Sequence, residues 1–246
     1  MLSVAPAPSE PREYRPLLTQ RARRPAVIVI VLAITVVVVL GLRYADQDMP
    51  GRLDRGVDAL IRNHLRPDQP LTRALVSLGT LPHAALLLAA VTSAAAAARR
   101  WSGVLLTLVG TVTATTITEL ILKPLVGRLR FGHLSFPSGH TTVVAALAIA
   151  GAILIGGARW PRGIVARLLS GLVLLALAAG VAVSLVTERI HYTTDTLAGY
   201  CVALATVLTV ALCLDLPHNR RSAPNGGHKT LASRHSAPNG DDSGTG

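Results

Sequence analysis

The chain has 246 residues, half of them hydrophobic and only 15% charged, a balance that excludes an ordinary soluble domain and fits a bundle packed in lipid. A net charge of +11 would suit nucleic acid, but the cations gather at the ends of apolar stretches, which points to membrane topology and excludes a nucleic-acid partner. The two cysteines, Cys201 and Cys213, lie 12 residues apart in one apolar stretch, so neither a disulfide nor a metal framework is implied.

Residues 1–25 carry five prolines and mix charges with small residues, so they are expected to form a disordered tail. The first apolar stretch, Ala26 to Leu42, follows Arg21, Arg23 and Arg24 and lacks a small-x-small cleavage site after it; it is read as a retained anchor, not a signal peptide. Next, Val57, Leu60, Ile61 and Leu65 recur at helical spacing with Asp54, Arg55, Asp58 and Arg62 on the other face, which predicts an amphipathic helix along the membrane surface, ending at Pro67. Five further apolar stretches follow: Pro82 to Ala98, Trp101 to Leu122, Gly139 to Gly157, Leu168 to Val186 and Thr196 to Leu216. At about 1.5 Å of rise per residue each covers roughly 25–33 Å, enough to cross a hydrocarbon core of about 30 Å. Residues 217–246 contain the pentapeptide SAPNG twice and are expected to form a second disordered tail.

The expected architecture is therefore all-α: a six-transmembrane-helix bundle over residues 26–216, with an interfacial amphipathic helix and disordered tails. With a cytoplasmic N-terminus, 14 of the 24 Lys and Arg fall on the cytoplasmic side, which favours both termini inside. The junctions between spans three and four and between spans five and six then both lie on the outer face of a multi-pass cell-membrane protein.

Those junctions hold the residues that carry chemistry. Lys123 and Arg130, in KPLVGRLR, are separated by Pro124 and Gly127, so a bent segment can aim both cations at one anion. A charge at the end of an apolar run is expensive and marks a functional site, although a single cation there is more simply a snorkelling side chain. In PSGH, Ser138 offers a hydroxyl, Gly139 allows close backbone approach and His140 stands in the first turn of a new helix, whose N–H groups suit phosphate. Taken alone, Ser138 is equally an ordinary N-cap. In HYTTD, His191 and Asp195 are four apart; a carboxylate on one ring nitrogen leaves the other free to attack, whereas the plain alternative is a helix-capping Asp beside an interfacial His. Two histidines in one site need opposite protonation states, His191 neutral to attack and His140 charged to donate. Glu119, one turn before Lys123, is expected to pair with it structurally.

KPLVGRLR, FPSGH and HYTTDTLAGY resemble, in order and spacing, the three signature motifs of the type 2 phosphatidic acid phosphatase (PAP2) superfamily, over about residues 100 to 216. The resemblance implies a metal-independent membrane phosphatase without a cofactor, in which Lys123, Arg130, Ser138 and Gly139 hold phosphate, His191 is the nucleophile, Asp195 orients it and His140 is the general acid. Soluble haloperoxidases share the constellation, but six spans argue against that branch. Two positions depart from the family pattern. Phe131 stands where a proline usually follows Arg130, which should alter loop stiffness more than chemistry; Leu185 stands where the third motif usually has an Arg. Arg189, one helical turn later, is the candidate replacement on a continuing helix.

These readings lead to the expectation of a membrane enzyme that hydrolyses a terminal phosphate on the outer leaflet through a phosphohistidine. The Arg-over-Lys, Ala-rich composition suggests a bacterial source, which makes a polyprenyl diphosphate such as undecaprenyl diphosphate the first substrate. Phosphatidic acid or phosphatidylglycerol phosphate is the enzymatic alternative. A degenerate member that binds or moves phospholipids without hydrolysis is a third reading, resting on Leu185. The expected partners are the lipid phosphate and membrane lipids; the sequence fixes no oligomeric state.

Overall fold

The computed structural model describes residues 16–158, 161 and 163–221. Most of both expected tails, including the repeated SAPNG, lies outside the described residues. Helix α1 spans Gln20–Tyr44, beginning ahead of the apolar stretch, and α2 spans Arg52–His64. Helices α3 (Pro70–Ser77) and α4 (Leu81–Ala97) meet at an angle of 66°. Helix α5 (Trp101–Thr116) runs through a six-residue π-helical segment, Ile117–Leu122, into α6 (Lys123–Val126), forming one continuous apolar span. A hairpin of β1 (Leu129–Arg130) and β2 (His133–Leu134) leads to α7 (Gly139–Gly156), α8 (Ile164–Thr187) and α9 (Thr193–Arg221).

Five helices are long and apolar enough to cross a membrane, and the bent α3–α4 pair makes a sixth crossing if taken as one span. The all-α membrane bundle expected from hydropathy is what forms. Helix α7 is its axis. Two thirds (67%) of α7 is buried, against 22% of α1, and it packs against α5, α8 and α9. Its Ala145, Ala146, Ala148 and Ala150 let the neighbours approach closely, which is how helices associate when lipid is as apolar as a side chain. Val27, Ile28 and Val31 of α1 and Leu168, Leu169 and Leu172 of α8 point outward, as lipid-facing positions do.

Two local features differ from the expectations. The polar face of α2 does not stay in water: Asp54 and Asp58 are buried against α9, while Leu53 and Leu60 are exposed. The carboxylates turn inward because uncapped backbone N–H groups and a buried guanidinium lie there. In addition, α8 does not continue to Arg189. It stops at Thr187 in a Schellman turn, with Ile190 N–H bonded to the Leu185 carbonyl and Arg189 N–H to that of Val186. Arg189 takes the left-handed position at φ 58° that glycine usually fills, and its side chain is exposed.

Candidate active site

All three motifs meet at one end of the bundle. The first is delivered by the π-helical turn, a feature often found at functional sites. It brings Glu119 and Lys123 together, Nζ to Oε2 at 2.8 Å, so the expected pair forms. The pair lies against Gly139: a Cβ at that position would collide with the Glu119 carboxylate, so only glycine admits it. Lys123 is thus beside the start of α7, half-buried, with its charge balanced by Glu119.

After α6 the chain turns through Phe131 (φ 50°) and Gly132 (φ 78°), the two left-handed residues of a type I′ hairpin turn. Proline is confined to φ near −65°, so this turn excludes the proline that usually follows Arg130. The hairpin sends its two arginines to different places. Arg130 stacks 4.0 Å from the Tyr192 ring and donates from Nε to the Arg189 carbonyl at 2.9 Å. Its Nη1 is buried with no hydrogen-bond partner. Burial lowers the Arg130 pKa from its ordinary value against the opposing pull of Tyr192, Asp58 and Asp195, and at neutral pH it stays a cation. Burial likewise raises the Tyr192 phenol, with Arg130 and Arg128 opposing, so its hydroxyl remains neutral and donates to the Asp48 carbonyl at 3.2 Å.

Arg128 is fully buried, and sequence reasoning missed it as a site residue. Its Nη1 donates to Asp195 Oδ1 and to Thr194 Oγ1, both at 2.6 Å, and its Nη2 to Asp54 Oδ2, also at 2.6 Å. The guanidinium carbon lies 4.3 Å from the Tyr44 ring and 4.4 Å from that of Tyr192. Asp54 and Asp58 were missed as well. Asp54 Oδ1 accepts from the N–H and hydroxyl of Thr194, and Asp58 Oδ1 from those of Thr193, so both cap the start of α9 from another helix.

The second motif begins α7 with Ser138 as N-cap, its Oγ accepting from Thr141 N–H at 3.3 Å. The N–H groups of Gly139 and His140 belong to the first turn, where helical geometry supplies no partner. His140 packs on Gly79, between α3 and α4: a Cβ on residue 79 would come within 2.7 Å of the His140 Cβ and 2.9 Å of its Cα. The third motif faces the second. The His140 and His191 ring centroids are 6.4 Å apart, and Ser138 N–H donates to the Asp195 carbonyl at 2.9 Å. His191 Nδ1 lies 3.7 Å from Asp195 Oδ2, in ionic range and beyond a hydrogen bond, and is itself buried without a partner. Asp195 Oδ2 meanwhile accepts from Tyr192 N–H at 3.1 Å.

Lys123, Arg130, Ser138, Gly139, His140, His191 and Asp195 thus gather in one place, and Arg189 adjoins them through its carbonyl, with its side chain at the rim. Leu185 is fully buried in the apolar core, so the family's usual Arg position holds a packing residue. Among the described residues no group of three or more His, Cys, Asp or Glu is arranged to hold a metal ion.

A family model, the PAP2 superfamily, matches residues 128–218. No curated protein and no solved structure matches the chain. The matched stretch starts at Arg128, five residues past Lys123, and takes in Arg130, both histidines and Asp195. Residues 128–218, with their facing histidines at the end of an all-α membrane bundle, are thus similar to the PAP2 superfamily.

Proposed function

We propose that the protein is a membrane lipid phosphatase of the PAP2 type, acting on a terminal phosphate at the outer leaflet through a phosphohistidine on His191. The observation that carries this reading is the pair of imidazoles 6.4 Å apart with the unpartnered Nη1 of a buried arginine, Arg130, in the same cluster. A buried cation with a free donor is unfavourable unless an anion completes it, and a tetrahedral phosphate supplies the missing acceptors.

In this scheme the phosphate rests on Arg130, Lys123, the first-turn N–H groups of Gly139 and His140 and the Ser138 hydroxyl, with Arg189 reaching from the rim. His191 attacks phosphorus through Nε2. The phosphorus–oxygen bond to the lipid breaks as His140 gives its proton to the leaving oxygen. Asp195, next to Nδ1, steadies the positive charge on the phosphorylated ring. Water, deprotonated by His140, then attacks phosphorus; the P–N bond breaks, inorganic phosphate leaves and His140 regains its proton.

A polyprenyl diphosphate is the first substrate we propose, with phosphatidic acid or phosphatidylglycerol phosphate second. The buried Leu185 favours a further reading, a binder that does not turn over, because one customary phosphate ligand is replaced by an apolar residue. Phosphate release by purified protein from a panel of these lipids separates the readings. The phosphatase should be inhibited by vanadate, insensitive to chelators and silent as His191→Ala, with no acid-labile phosphoenzyme in that variant. Loss of activity on chelation with recovery on adding a divalent metal would reject the phosphohistidine scheme. Labelling of Phe131→Cys by an impermeant thiol reagent from outside the cell checks the orientation, since residue 131 is 80% exposed at the hairpin tip.

A further inference from the structure

An orienting carboxylate next to a nucleophilic imidazole presents a physical conflict. Asp195 should hold His191 in place, yet a full negative charge in a buried setting also favours the protonated imidazole, which cannot attack. The structure contains a counterweight. Arg128, fully buried two residues from the phosphate-facing Arg130, binds Asp195 Oδ1 at 2.6 Å and so withdraws part of that charge from the oxygen facing His191. A guanidinium with one carboxylate partner would in turn exert its own positive charge on the ring. Asp54 of α2 meets that excess, accepting from Arg128 Nη2 at 2.6 Å on the side away from Asp195. Tyr44 and Tyr192 close over the guanidinium at 4.3 and 4.4 Å, fixing its plane.

We propose that Arg128, held by Asp54, is a positioning residue that sets both the place and the effective charge of Asp195 beside His191, so that docking of α2 prepares the nucleophile. The proposal rests on the phosphatase reading for its catalytic consequence, but the charge relay itself does not require turnover. The other ionisable group packed on the ring is His140 of α7, and next to Asp195 stands Tyr192 with Arg130 of β1 stacked on it. Beyond them lie Lys123 and Glu119 beside His140, and Asp58 with Arg62 on α2. All of these stay unchanged in the variants below.

The relay predicts opposite effects from its two ends. Arg128→Gln removes a positive charge and makes His191 easier to protonate. Asp54→Asn leaves the guanidinium underbalanced and makes protonation harder. The test is an NMR titration of isotopically labelled histidine in the full-length protein in lipid nanodiscs, with the His191 signal assigned by its loss in His191→Gln. The midpoint should move up in Arg128→Gln and down in Asp54→Asn, each by about one pH unit, as a unit charge at this range does at an effective dielectric of about 20. Arg128→Lys, which keeps the charge, should stay near the wild type and guards against a variant that fails to fold. Midpoints that stay put, or that move the same way in Arg128→Gln and Asp54→Asn, overturn the relay. With dioctanoyl phosphatidic acid or farnesyl diphosphate as probe, the acid limb of kcat/KM should follow the same shifts. If the wild type hydrolyses neither probe nor any other lipid phosphate while the NMR midpoints still split, the relay stands and the phosphatase reading falls.

Discussion

Both ends of the bundle bury carboxylates, and they neutralise them differently. At the end of α9 away from the motifs, Asp215 is 1% exposed and accepts from the backbone N–H groups of Leu17 and Leu18, each at 2.9 Å, with Arg23 at 4.0 Å. Amide dipoles are fixed and do not titrate, so this carboxylate fastens the segment ahead of α1 to α9. At the motif end, Asp54 and Asp195 also accept backbone N–H groups, but they share one fully buried charge, the Arg128 guanidinium. The same residue type is chiefly a fastening where its cation stands at the edge of ionic range, and part of a charge network where a guanidinium binds it directly.

Substitutions should separate the two ends clearly. The largest effect on turnover short of losing the nucleophile is expected for His140→Ala, a fall of about 10²–10⁴. It should be greatest for substrates with poor leaving groups, measured as single-turnover phosphoenzyme formation. Arg128→Ala leaves two buried carboxylates facing each other and should cost about 3–5 kcal/mol of stability, read from thermal unfolding in detergent, with activity lost alongside. Arg189→Gly keeps the left-handed turn and the carbonyl that receives Arg130 while deleting the side chain. A loss of about ten- to two-hundredfold in kcat/KM then reports a charged phosphate contact of about 1.5–3 kcal/mol. Unchanged kcat/KM would limit Arg189 to its backbone role. Asp215→Asn should lower stability by about 1.5–3 kcal/mol and leave turnover per folded molecule unchanged. If Asp215→Asn altered turnover as Arg128→Ala does, the two ends would not differ in kind.

Much of the fold was legible because hydropathy reports directly on the lipid solvent, and each apolar run lies in a helix that extends it by a few residues at most ends. Motif parity also carried through, since counting spans requires no side-chain detail. Arg128 escaped because its neighbour Arg130 offered the same local signal, and sequence does not say which of two arginines meets an anion in the protein and which awaits one. Asp54 and Asp58 escaped for a related reason. Their i, i+4 spacing marks one face of α2, but the partner that turns that face inward is 74 and 140 residues away for Asp54. One cue was present: Lys123, Arg128 and Arg130 crowd a membrane edge, and such a cluster needs nearby counter-charge that the motifs alone do not supply. The end of α8 is not legible in the sequence because a left-handed arginine does the work usually given to glycine, and residue type alone does not announce it.

The elbow between α3 and α4 has a mechanical consequence. Helix α4 has 17 residues, about 25 Å of rise, whereas α8 has 24, about 36 Å. A thicker bilayer is therefore spanned by α4 only together with α3, through the 66° bend whose Gly79 lies against His140. Acyl-chain length should thus bear on His140 through mismatch, without any contact between lipid tail and imidazole. Turnover in vesicles of graded chain length should accordingly fall on the thick side, and the fall should be steeper for substrates that need His140 most.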